Sequence, residues 1–148
     1  MHKILFVCHG NICRSPMAEY IMKYLTKNRD DFLIESKATS FEEVGNSMYY
    51  LAKEVLDKHN IPYGIHKARR ITKEDYDKFD FIIVMDEENL YNVRRVMSTD
   101  NENKIKKLLY FINSDKDVDD PWYTRDFDKC YQEIYEGCKA LLDYIDGK

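Results

Sequence analysis

No apolar run in this chain approaches the ~18 residues that a membrane-spanning helix needs, and the stretch Ile4 to Val7 near the N-terminus is too short for a signal peptide. A soluble, cytoplasmic protein with no membrane partner is therefore expected. Cysteine is sparse as well, with 4 in 148 residues, too few for a disulfide scaffold. Cys8 to Cys13 and Cys130 to Cys138 do not have the spacing of zinc knuckles, and no histidine lies near the later pair. No metal site is expected. Basic residues are outnumbered 27 to 23, for a net charge of −4, which argues against general nucleic-acid or anionic-membrane binding. With 5 glycines and 3 prolines, no flexible or rigid linker divides the chain. Hydrophobic residues at 44% and aromatics at 14% exclude a disordered composition.

What is present alternates between strand and helix patterns. Ile4-Leu5-Phe6-Val7 is a short continuous apolar run, as expected of a strand covered on both faces. Ser15-Pro16 then predicts a helix start, a hydroxyl cap followed by proline in the first turn. Met17, Ala18, Ile21, Tyr24 and Leu25 continue it as one helical face. Phe32 to Glu35 predicts a second strand. Met48, Leu51, Ala52, Val55 and Leu56 form another helical stripe, which His59 and Asn60 end ahead of Pro62. Phe81 to Met85 predicts a strand, Asn89 to Val96 a helix, and Leu108 to Ile112 a further strand. Phe127, Cys130, Tyr131, Ile134, Cys138, Leu141, Leu142 and Ile145 repeat at mostly helical steps, so both late cysteines are expected in the core. One α/β domain over residues 1–148, with about four parallel strands, is the economical architecture.

In such sheets ligands bind beyond the carboxyl ends of strands, where helix N-termini point free amides. That place holds Cys8-His9-Gly10-Asn11-Ile12-Cys13-Arg14-Ser15. Gly10 and Asn11 permit the backbone turns that aim successive amides inward. Arg14 can offer a planar two-pronged donor to a tetrahedral oxyanion. A helix N-terminus and a nearby cation both favour a thiolate over a thiol, and the Ser15 hydroxyl can bond to Cys8. The features converge on a phosphate cradle with a nucleophilic sulfur at its base. A leaving group then needs a proton donor, and Asp119-Asp120-Pro121-Trp122-Tyr123 offers one. Pro121 holds Asp120 extended, and its carboxylate and aromatic neighbours favour the protonated form. Asp119 is the competitor, and pattern alone leaves the choice between them open.

These residues resemble the low-molecular-weight protein tyrosine phosphatases, and the resemblance covers essentially the whole chain. Val7 to Pro16 resembles the family's phosphate loop, with Met17-Ala18-Glu19 continuing it, and Asp120-Pro121 resembles its general-acid pair. Ser36 to Ser40, His66 to Thr72 and Met85 to Asn89 resemble intermediate segments in the family's order.

The resemblance implies a four-stranded parallel sheet flanked by helices and hydrolysis of phosphotyrosine in proteins or peptides. It assigns Cys8 as nucleophile, Arg14 and the amides of residues 9–15 as phosphate ligands, and Asp120 as acid and then base. Asn11, Ser15, Ser36 and His66 would buttress the loop. No cofactor is required, and phosphate is the product held by the loop. Phe41, Trp122 and Tyr123 would wall the pocket, with Glu42 where relatives often carry an aromatic residue. An acidic Glu42 would favour basic flanking residues on a peptide. Ile12, where phosphoarginine-specific members carry threonine, favours phosphotyrosine. Cys8 and Cys13 could form a reversible disulfide that protects the nucleophile. A monomer with a bell-shaped pH profile is expected.

Two rival readings share the loop. A thiol-dependent arsenate reductase would need relay cysteines, and none lies between Cys13 and Cys130. An intact Asp120 beside an intact Cys8 argues against a catalytically silent phosphate-binding or redox-sensing module, since binding alone would need neither.

Overall fold

The computed structural model describes residues 1–148. Strand β1 (His2–Cys8) runs into helix α1 (Arg14–Leu25), then β2 (Phe32–Ala38), α2 (Tyr50–Lys58), the short α3 (Asp75–Lys78), β3 (Phe81–Val84), α4 (Glu87–Met97) and β4 (Ile105–Lys107). A 3-10 turn (Leu108–Ile112), the short α5 (Pro121–Thr124) and the long α6 (Phe127–Ile145) complete it. The four strands pair in parallel in the order β2-β1-β3-β4. The chain leaves β1 toward β2 on one side and later returns to add β3 and β4 on the other. That reversal opens a crevice at the carboxyl end of β1.

Strand β1 is the keel because its side chains serve two cores. Ile4, Phe6 and Cys8 point to a face packed with α1, α2 and α6, including Met17, Ile21, Leu56, Ile134 and Leu141. Leu5 and Val7 point to the other face, against Ile82, Val84, Leu90, Val93 and Met97. Successive strand residues alternate faces, so an unbroken apolar run is what a strand sandwiched between helix layers needs.

Two sequence expectations need correcting. Leu108 to Ile112 is a 3-10 turn, and the fourth strand is Ile105–Lys107 just before it. An apolar run of five reads equally as a strand or a buried turn. Here Leu108 and Leu109 bury under α6 instead of pairing with β3. The helix approaches so closely that a Cβ on Gly137 would stand 2.5 Å from Leu108 Cγ. Helix α1 begins at Arg14 with Cys13 as its uncapped flank, so Ser15 lies inside the helix. Its hydroxyl is drawn instead to Cys8 and Asn11. Smaller differences follow burial: β2 extends to Ala38, and Met48 is buried just ahead of α2.

Cys130 and Cys138 lie on the buried face of α6. Burial pushes both thiols up, with Arg14 pulling the other way on Cys130. Above about pH 8.5 the unfolded chain loses these protons while the folded chain keeps them. Stability is therefore expected to fall as pH rises above that point, by up to about 1.4 kcal/mol per pH unit for each thiol. Urea unfolding between about pH 7.5 and 9.5 checks this. Cys138→Ala should flatten the decline, and an unchanged slope would refute the cause.

Candidate active site

Between β1 and α1 the backbone winds around the Cys8 sulfur. Asn11 takes the left-handed conformation (φ 60), which asparagine tolerates. Gly10 has a different use: a Cβ there would lie 3.3 Å from Glu43 Cγ, so its bare backbone admits that side chain. The Asn11 N–H donates to Cys8 Sγ at 3.3 Å and the Ser15 N–H at 3.4 Å, with Ser15 Oγ 3.0 Å away. Proton bookkeeping leaves the Ser15 hydroxyl able to donate in the last of these bonds. Asn11 Nδ2 only donates, and it gives hydrogens to Ser15 Oγ at 2.8 Å and Ser36 Oγ at 2.9 Å. Ser15 is then free to donate to sulfur, and Ser36 to Glu19 Oε1 at 2.6 Å. Two backbone amides thus donate to the Cys8 sulfur, and the Ser15 hydroxyl lies within bonding distance as a third group able to donate.

Asn11 is held on its other atoms too. Its Oδ1 accepts the Arg69 N–H at 3.1 Å, and its carbonyl meets His66 Nε2 at 2.7 Å. A carbonyl only accepts, so His66 carries a proton on Nε2. The segment after β2 straps the loop: the Thr39 N–H donates to Cys8 O, Ser40 to His9 O and Tyr49 to Ile12 O.

Arg14 is 2% exposed. Burial works against its charge, but Cys8, Asp86 and Asp120 outweigh that and hold the guanidinium firmly protonated. Its Nη1 donates to Asp86 Oδ2 at 2.6 Å and to Val118 O at 2.8 Å. Both hydrogens of that nitrogen are committed. The Nε and Nη2 hydrogens remain, along the edge that fits an oxyanion two-pronged; Asp120 Oδ2 stands 3.4 Å from Nη2. Asp86 has a double duty. Its Oδ1 caps α4 by accepting from the Asn89 N–H at 2.7 Å while Oδ2 holds Arg14.

Asp120 caps α5, accepting from the Trp122 N–H at 3.0 Å, with Pro121 at the first helical position. Its segment is pinned to the sheet by the Val118 N–H on Met85 O. Asp119 points elsewhere, exposed and 4.0 Å from Lys129 Nζ. Tertiary structure therefore brings Asp120, and not Asp119, to Arg14.

The resulting cleft is about 380 Å³, and Cys8, Arg14 and Asp120 share it with His9, Gly10, Ile12 and Cys13. Its outer walls are Glu42 and Glu43 opposite Trp122 and Tyr123. Phe41 does not line it: the ring is 73% exposed and lies 4.3 Å from the Arg70 guanidinium. Glu42 instead meets His9 Nε2 at 3.1 Å. Cys13 is buried and reduced, and burial first, then the charge on Cys8, pushes its thiol up. Sequence reasoning missed Asp86, Glu19, Glu43 and Tyr49 as participants. The carboxyl-end rule that located Cys8 also points to Asp86, two residues past the end of β3.

Comparison with known proteins agrees with this geometry. Residues 3–148 match the family model described as low molecular weight phosphotyrosine protein phosphatase. The low molecular weight protein-tyrosine-phosphatase PtpA of Staphylococcus aureus is 37% identical, covering 98% of this chain and 94% of that protein. The structure of YfkJ from Bacillus subtilis superposes with a TM-score of 0.95 at 38% identity, over 99% of this chain and 96% of the other. That of the low molecular weight protein tyrosine phosphatase SP-PTP from Streptococcus pyogenes gives 0.89 at 39% identity, over 97% and 93%. With a family match along nearly its full length and a loop of amides wound around a cysteine at the sheet's crevice, the chain belongs to the low molecular weight protein tyrosine phosphatases, which hydrolyse phosphoric monoesters through cysteine.

Proposed function

We propose that Cys8, Arg14 and Asp120 carry out phosphotyrosine hydrolysis in two steps. The Cys8 thiolate attacks phosphorus in line, forming an S–P bond as the P–O bond to the phenol breaks. The free Nε–Nη2 edge of Arg14 and the loop amides hold the equatorial oxygens. Asp120 gives its proton to the departing phenolic oxygen. Water then attacks the phosphocysteine, Asp120 takes its proton, and the S–P electron pair returns to a sulfur stabilised by Ser15.

The observation that carries this reading is the bonding of Cys8 Sγ: two backbone amides donate to it and the Ser15 hydroxyl lies 3.0 Å away, in the cleft that Arg14 and Asp120 share. No step requires a metal or organic cofactor, because loop amides and arginine supply the positive field. Asn11, Ser36 and His66 support the loop, and Trp122 and Tyr123 supply aromatic surface for a phenyl ring. Ile12 in the cleft supports phosphotyrosine over phosphoarginine.

Asp120→Ala is expected to cut hydrolysis of phenyl phosphate by about 10²- to 10⁴-fold, while Asp119→Ala stays near wild type. The opposite ranking in steady-state assays would overturn the acid assignment. A phosphotyrosyl peptide should turn over where a phosphoarginyl peptide does not, and a preference for the latter would reverse the substrate class.

Redox sensitivity belongs to the same proposal. If peroxide oxidises Cys8 to a sulfenic acid, the Cys13 thiol can condense with it, releasing water and forming a disulfide. Thiol reductant would then restore the nucleophile.

A further inference from the structure

Arg125 stands where glycine is ordinarily used. It ends α5 in the left-handed conformation (φ 61, ψ 12), its N–H donating to Pro121 O at 2.9 Å. A Cβ crowds the backbone in that region, which is why helix ends of this shape prefer glycine. Its side chain has to offset that penalty.

The contacts that do so run in two directions. Nη1 donates to Trp122 O at 3.3 Å, and Nη2 donates to Tyr49 Oη at 3.0 Å. The guanidinium also lies 5.6 Å from the Tyr49 ring centre, 5.8 Å from Trp122 and 5.6 Å from Phe127. Trp122 meets Tyr49 edge-on at 4.9 Å. Tyr49 is itself anchored, its N–H on Ile12 O in the phosphate loop. The Trp122 backbone is therefore gripped from both sides. Its N–H holds the Asp120 carboxylate, and its carbonyl is held by Arg125.

We propose that Arg125 and Tyr49 form a clasp that ties the Asp120 turn to the phosphate loop and keeps the carboxyl aimed at the leaving-group oxygen. Arg125 is a positioning residue: it does not line the cleft and acts through Trp122. The inference rests on Asp120 being the general acid, and the experiment separates the two claims.

Phenol is a poorer leaving group than p-nitrophenol and depends more on proton donation. The value of kcat/KM, which reports the steps through leaving-group departure, is measured with phenyl phosphate and p-nitrophenyl phosphate. Arg125→Gly suits the left-handed backbone, so the fold should persist. It is expected to lower kcat/KM for phenyl phosphate by about ten- to a hundred-fold, with a several-fold smaller loss for p-nitrophenyl phosphate. Inhibition by inorganic phosphate should not change. Tyr49→Phe should give a smaller loss with the same bias, and the double variant should be no worse than Arg125→Gly, since both remove one shared bond.

Equal losses on the two substrates, no loss, or weakened phosphate inhibition would each overturn the clasp. Asp120→Ala is the reference. If it shows no leaving-group bias, the acid assignment fails. If it does and Arg125→Gly does not, only the clasp fails.

Discussion

Cys8→Ser is expected to lose turnover by at least about 10⁴-fold while still binding phosphate. The hydroxyl fits the space that the thiol occupies. An alcohol, however, ionises far less readily than a thiol, so the Asn11 and Ser15 donors that favour an anion at 3.3, 3.4 and 3.0 Å would surround a neutral oxygen. The nucleophile is lost. The cradle is not, because Arg14 and the remaining amides keep their partners, and Asn11 stays fixed through Ser36, Arg69 and His66. Phosphate release measures the loss, and titration calorimetry with inorganic phosphate measures what survives. Rapid acid quench of the wild-type enzyme should capture a phosphocysteine that the variant never forms. Turnover above about one per cent of wild type in the variant would exclude sulfur as the attacking atom.

Arg14→Lys should cost about 10²- to 10³-fold in kcat/KM, although the charge is kept. The guanidinium performs two tasks with different nitrogens. Nη1 reaches Asp86 and Val118 O, and the Nε–Nη2 edge is left for the phosphoryl oxygens. A single ammonium cannot span both, so a lysine must either fill the pair with Asp86 or serve the substrate. Thermal stability should fall much less than with Arg14→Ala, which would leave the Asp86 and Asp120 carboxylates near the Cys8 thiolate without their cation. A lysine variant retaining a tenth or more of wild-type kcat/KM would show that the two-pronged edge is not what stabilises the transition state.

Much of this machinery was legible because it is local. Cys8 through Ser15 lie in one strand-to-helix connection, and a β1 apolar on both faces announces a covered parallel strand. The long α6 stripe was similarly readable, with Cys130 and Cys138 buried on the expected face. The fourth strand was not. Ile105–Lys107 is short, edge-lying and carries two lysines, so it offers less apolar signal than the Leu108–Ile112 turn beside it. Phe41 was placed in the wall by its aromatic character, yet its ring packs beside Arg70 on the surface, and Tyr49 stands behind Trp122 instead. Ser36 and His66 carried no pattern of their own and were reached only by resemblance to a family.

By itself the sequence picked out Cys8 and Arg14 as the proposed nucleophile and phosphate ligand, and the two-sided sheet, because residues a few positions apart on a strand or a turn have little freedom in where they point. Local pattern left Asp119 and Asp120 open and only resemblance favoured Asp120; tertiary structure decided that Asp120 faces Arg14, that Asp86 takes one side of the guanidinium, and that Arg125 reaches Tyr49. Those partners lie 106, 72 and 76 positions apart. They meet only through strand order and register around β1, which no local spacing specifies.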